Sequence, residues 1–237
     1  MIDKRVASAA EAVADIFDGA TIMIGGFGEA GSPIELIHAL IDQGATNLTT
    51  ISNNCGSGAV GLAALLKAGR VSKVVCSFPR TANSTVFPEL YRSGRTKLEL
   101  VPQGTLAERL RAAGAGIPAF YTPTAVGTEL AEGRETRVIK GREYLLEYAL
   151  PLDYAFVRAA RADTWGNLQF HRSQRNFCPV MATAAKVTIA EVDADIVSVG
   201  TIDPDQVHTP GIFVHRLVRV PPAPEGLWPT RRQERRR

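Results

Sequence analysis

Cysteine is scarce in this sequence. Only Cys55, Cys76 and Cys178 occur, odd in number and without a Cys-x-x-Cys pair. That argues against a disulfide framework and a cysteine-rich zinc site, and suits a reducing, cytoplasmic compartment. The histidines (His38, His171, His208, His215) make no His-Glu-x-x-His motif, so no metal site is expected. No stretch approaches the ~18 apolar residues of a membrane helix. The first turns carry acids and no apolar run leads to a small-residue cleavage site, so no secretory leader is expected. An excess of one charge is missing too. The net +3 comes from the closing Arg-Arg-Gln-Glu-Arg-Arg-Arg, and the remaining chain is close to neutral. A nucleic-acid surface is therefore not expected.

What is present is a globular composition, 45% apolar and 22% charged. The 237 residues suit one large α/β domain, here expected over 1–220, with a Pro/Arg-rich, disordered tail over 221–237.

The patterning alternates between strand and helix. Ser8 caps a short helix through Ala9–Phe17, and Ala20–Ile24 reads as a buried strand. After a glycine-rich loop, Ser32 and Pro33 are expected as N-cap and first residue of a helix that Gly44 ends. Strands follow at 47–52, 72–77 and 96–101, with helices over 60–66 and 104–113. A hairpin turns at Lys140-Gly141; strands at 154–159, 167–170 and 187–192 and a helix over 179–186 complete the chain. The segments 114–118 and 122–124 read as loop. This βαβα order predicts a parallel sheet between two helical layers, with a small mixed extension.

Gly26-Phe27-Gly28-Glu29-Ala30-Gly31 matches Gly-x-Gly-x-x-Gly between a strand and a helix. That is the form of a dinucleotide fingerprint, and a nicotinamide oxidoreductase is one reading of it. The fingerprint requires an acid at the end of the next strand to hold a ribose. Here that strand ends Ile51-Ser52-Asn53-Asn54. The glycines also serve a tight strand-to-helix turn on a purely structural reading.

A longer pattern outweighs both readings and leaves them as alternatives. Asp18-Gly19, three apolar residues, Gly25-Gly26-Phe27, then Gly31-Ser32-Pro33 resembles the signature of the A subunit of family I CoA-transferases, which act on 3-oxoacids. Ser52-Asn53-Asn54, Val101–Arg109, Gly114–Thr124, Ala162-Asp163, Gly166-Asn167, Arg175-Asn176-Phe177 and Ala184-Ala185-Lys186 resemble the same family in the same order. The resemblance implies a three-layer α/β/α CoA-transferase-like domain. It also implies a ping-pong reaction whose nucleophile is a glutamate in a Ser-Glu-Asn-Gly motif of a B subunit. No Glu-Asn-Gly occurs here. No residue of this chain is therefore expected to be the nucleophile, and a heteromer with a B subunit is. CoA and its acyl esters are expected as substrates, with no permanently bound cofactor. A non-catalytic acyl-CoA-binding module is the further alternative.

Several residues suit that chemistry. Gly25, Gly26, Phe27, Gly28, Glu29, Ala30 and Gly31 would admit the CoA arm close to the backbone. Asn53, Asn54 and Gln103 offer neutral donors for a carboxylate or oxyanion. On structural readings the asparagines are turn residues, Gln103 caps a helix, and Glu29 only complements a helix N-terminus. Ser77-Phe78-Pro79-Arg80 and Asp163–Leu168 resemble the branch acting on 3-oxoadipate, with succinyl-CoA as donor, more than the acetoacetate branch. A second carboxylate needs a second anchor, for which Arg80 is the candidate, against a plain surface role.

Overall fold

The structure is a computed structural model and describes residues 2–81 and 84–221. The tail expected to be disordered lies outside the described residues from 222 onward. Ser8 caps helix α1 (Ala9–Val13), its side chain accepting the Glu11 amide. Strand β1 (Thr21–Ile24), helix α2 (Ile34–Gln43), strand β2 (Leu48–Asn54) and helix α3 (Gly61–Lys67) follow. Then come strand β3 (Val71–Phe78), helix α4 (Val86–Arg92), strand β4 (Lys97–Leu100) and helix α5 (Gln103–Gly114). Strands β5 (Ala119–Thr122), β6 (Thr136–Ile139), β7 (Arg142–Tyr148), β8 (Leu152–Ala159), β9 (Arg161–Ala162) and β10 (Leu168–Gln169) occupy the middle. Helix α6 (Cys178–Ala184) and strands β11 (Ala185–Val192) and β12 (Arg216–Arg219) close the described fold.

The main sheet has seven strands in the order β12-β11-β8-β1-β2-β3-β4, and every pairing is parallel. Side chains alternate between its two faces, as the period of a strand requires. Ile22 and Ile24 face one core with Leu36, Leu40, Leu65 and Phe87 of α2, α3 and α4. Met23 and Val75 face the other with Leu106, Leu110 and Met181 of α5 and α6. These are the three α/β/α layers. The small extension is an antiparallel sheet, β5-β7-β6. It docks on the main body through Glu147, which is buried between Arg134 and Arg109.

Two local expectations differ. Ser32 does not cap α2; the residue before the helix is Pro33, and no side-chain cap is made there. Thr122, expected in loop, is instead the last residue of β5, paired with Leu145 of β7. Helix α4 and strand β12 had no strong pattern. Pro88 lies inside α4, and β12 is a short Arg-Leu-Val-Arg run, Arg216–Arg219. Among the described residues no helix is long and apolar enough to cross a membrane.

Candidate active site

The carboxyl ends of β1, β2, β3 and β4 converge, the usual place for a ligand in an open parallel sheet. Two connected hollows open there. The inner one lies between the glycine loop and the end of β2. It is lined by Gly25, Gly26, Gly28, Glu29, Ser52, Asn53 and Asn54, among others. The outer one, about 810 Å³ with its mouth, is lined by Phe27, Gly28, Asn53, Asn54, Ser77, Phe78, Thr81 and Gln103. Gly28, Asn53 and Asn54 stand where the two meet.

The loop between β1 and α2 is held from outside itself. Gly25 donates to the Phe156 carbonyl at 2.9 Å. Asn176 bridges the loop: its Oδ1 accepts the Gly26 amide at 3.3 Å and its Nδ2 donates to the Ala30 carbonyl at 3.1 Å. Gly31 has φ +77°, and an added β-carbon would stand 2.7 Å from the Gln174 carbonyl oxygen. Only glycine fits that conformation and that space together. Ala30 packs as part of the same turn, through paired bonds with Phe27.

Asn53 and Asn54 are strand residues at the end of β2, both nearly buried and neither at positive φ. The turn-residue reading is therefore overturned. Asn54 Oδ1 accepts the Gly56 amide at 2.8 Å, and Ser52 Oγ donates to the Asn54 carbonyl at 2.6 Å. These bonds hold the strand end while the Asn53 carboxamide has no partner among the described residues. Gln103 begins α5, is exposed to the cleft and makes no capping bond. Glu29 accepts the Ser57 hydroxyl at 2.8 Å across the cleft floor, so its partner is a side chain and not the helix end. Arg80 is exposed, one residue before the cleft-lining Thr81, and no ion pair with a described residue engages it.

The N-terminus of α2 is already filled. The buried Glu191 of β11 accepts the Leu36 amide at 2.6 Å. The pyrophosphate of a dinucleotide would need that position. Together with the missing ribose acid, this sets aside the nicotinamide reading. Arg158 reaches the same region, donating to Asp193 at 2.7 Å with Glu191 at 3.8 Å. Ser77, Thr81, Asn176 and Glu191 escaped the sequence reading as site residues. Asn176 and Ser77 carried a signal, each standing in one of the stretches that resemble the family. Among the described residues no group of three His, Cys, Asp or Glu side chains is placed to hold a metal.

The family model described as Coenzyme A transferase matches residues 6–219. The chain is 59% identical over 220 residues to the A subunit of 3-oxoadipate CoA-transferase from Pseudomonas putida, covering 93% of this chain and 95% of that one. It is 54% identical over 229 residues to the same-named protein of Acinetobacter baylyi, covering 97% and 100%. Among solved structures it superposes on the acyl-CoA transferase YdiF of E. coli O157:H7, in a thioester complex with CoA, with a TM-score of 0.79 at 26% identity. That match covers 92% of this chain but only 47% of the YdiF chain, so this chain spans about half the length of that one.

Proposed function

The chain belongs to the coenzyme A transferase family, and we propose that it is one half of a heteromeric enzyme moving CoA from succinyl-CoA to 3-oxoadipate. The observation that carries this reading is the meeting of the glycine loop, Asn53, Asn54 and Gln103 at one cleft. These groups bind and stabilise, and they include no unpartnered carboxylate; Glu29 is engaged by Ser57. The nucleophile comes from the partner B subunit. The match to about half the length of the YdiF acyl-CoA transferase chain supports the same division of labour.

The chemistry then runs in balanced steps. The partner's glutamate carboxylate attacks the thioester carbonyl of succinyl-CoA, the carbon–sulfur bond breaks, and an anhydride and CoA thiolate form. The thiolate attacks the glutamyl carbonyl, releasing succinate and leaving a glutamyl-CoA thioester. The acceptor carboxylate repeats both steps in reverse and leaves as its CoA ester. Each attack places negative charge on a carbonyl oxygen. The amides of Asn53, Asn54 and Gln103, with backbone N–H groups of residues 25–31, are donors for that charge. Neutral donors serve a site that exchanges several carboxylates, because a fixed cation would hold one of them too firmly. The glycines let the thiol arm lie against bare backbone. Arg80 provides the anchor for the second carboxylate of 3-oxoadipate. CoA esters are substrates here, with no resident cofactor, and the buried free thiols suit a cytoplasmic setting.

The test is a transferase assay with succinyl-CoA, run on this chain alone and with its B subunit, with 3-oxoadipate and acetoacetate as acceptors. Activity only in the pair, with 3-oxoadipate preferred, is the expected result. Acetoacetate preference would overturn the acceptor, and activity of the chain alone would overturn the division of labour. An inert, correctly assembled pair would leave a binding module instead.

A further inference from the structure

Two hydroxyls in the wall of the outer cleft lack a hydrogen-bond partner among the described residues. They are Ser77 Oγ and Thr81 Oγ1. Each can donate one hydrogen and accept two, yet no described residue engages either side chain. Orphaned polar atoms are uncommon in folded proteins, and each calls for an explanation. Both residues line the outer cleft and neither lines the inner hollow, whereas Asn53 and Asn54 line both. The carboxamides thus stand at the junction, and the hydroxyls belong to the outer end alone. Phe27 and Phe78, exposed by 51% and 60%, supply the apolar surface of the same outer cleft.

An acid with a carboxylate at each end of a short methylene chain matches this composition. Its reacting carboxylate meets the carboxamides, its methylenes meet the phenyl faces, and its distal carboxylate meets the hydroxyls. Both oxygens are buried as they stand, and rotation about the Cα–Cβ bond is the movement that would turn a hydroxyl toward the cleft. We propose that Ser77 and Thr81 form the subsite for the distal carboxylate of the acceptor, flanking Arg80 in the segment that leaves β3. The inference rests on the reading of the chain as half of a dicarboxylate CoA-transferase. It adds the residues that discriminate a dicarboxylic from a monocarboxylic acceptor.

The experiment uses the assembled heteromeric complex with succinyl-CoA as donor, and compares KM for 3-oxoadipate and for acetoacetate. Ser77→Ala and the shape-preserving Thr81→Val are each expected to raise the ratio of the two KM values by about five- to tenfold. Thr81→Ser, which keeps the hydroxyl, is expected to leave the ratio near its original value. An unchanged ratio in Ser77→Ala and Thr81→Val, or an equal loss with both acids, overturns the subsite while the enzyme class stands. A wild-type complex that prefers acetoacetate overturns the dicarboxylate reading, and the subsite falls with it.

Discussion

The carboxylate of Glu191 accepts the backbone amide of Leu36 at 2.6 Å, from a strand on the far side of β8. Helix α2 is therefore capped by a side chain 155 positions away. Burial pushes the Glu191 carboxyl up to about 8; the Leu36 amide and Arg158 pull it down, while Glu35 and Asp193 add to the rise. At 3.8 Å Arg158 is too far for a hydrogen bond and offsets only part of the burial.

A pH dependence follows. An unfolded glutamate titrates near ~4.3, so between there and about 8 the folded chain holds more protons than the unfolded one. This contribution to stability is fully present below the unfolded value and is lost as pH rises through the folded value. Glu191→Gln keeps an acceptor for Leu36 and removes the titration. Relative to wild type, the variant should gain stability steadily from about pH 5 to about pH 8 in urea unfolding. A constant difference across that range would contradict the assignment.

Gly31→Ala should be severe. The new β-carbon meets the Gln174 carbonyl oxygen at 2.7 Å and Asn176 Nδ2 at 2.9 Å, at a φ of +77°. Clash and strain act together, and a loss of about 2–4 kcal/mol is expected. Gly28→Ala has open space around it and only the strain of a φ of +60°, so about 1 kcal/mol is expected there. Thermal unfolding of the two variants gives the order.

Gln103→Ala should separate catalysis from stability. The side chain is exposed to the cleft and caps nothing, so the melting temperature should stay within about a degree. If its carboxamide supports the oxyanion, kcat of the heteromeric complex should fall about a hundredfold with KM little changed. A rise in KM at constant kcat would make Gln103 a ground-state contact instead.

Arg80→Ala should act on the acceptor alone. The expected result is a rise of about tenfold in KM for 3-oxoadipate, with KM for succinyl-CoA and for acetoacetate unaffected. An unchanged KM for 3-oxoadipate would leave Arg80 a surface residue.

The thiols should be silent in the folded chain. All three cysteines are buried and unpaired by disulfides. Burial pushes the Cys178 thiol up to about 12, and the Cys55 thiol is raised by its contact with Cys76, at 3.6 Å, and by burial. Thiolate is the reactive form, so a colorimetric thiol reagent near pH 8 should count none in native protein and all three in denaturant. Fast reaction of native protein would show an opening the fold does not display.

Much of the architecture was readable because its causes are local. Ile22, Met23 and Ile24 are an apolar run short enough to be a strand, and Gly44 ends α2 with φ +100° as a helix-terminating glycine should. The stretches that resemble the family are likewise contiguous, and from them Gly25–Glu29, Asn53, Asn54 and Gln103 come to line the same pair of hollows. What escaped depends on partners distant in the chain. Nothing near Glu191 announces Leu36, and nothing near Asn176 announces Gly26. As hydroxyl donors Ser77 and Thr81 stand out through bonds that no described residue makes with them, which is visible once their surroundings are known. Ser32 followed the usual cap pattern, but its neighbour Pro33 takes the position before the helix and an acid from β11 serves the first turn.

Strand β1 is made early in the chain, yet it lies in the middle of the sheet, paired through Met23 to Ile51 of β2 on one side and to Ala155 of β8 on the other. A nascent chain that has emerged only as far as β4 holds half a sheet with one flank of its central strand bare. That flank, and the floor of the glycine loop where Gly25 meets the Phe156 carbonyl, are closed only by residues synthesised much later. The candidate cleft therefore cannot take shape during the first half of translation, and its wall becomes sound only when β8 arrives.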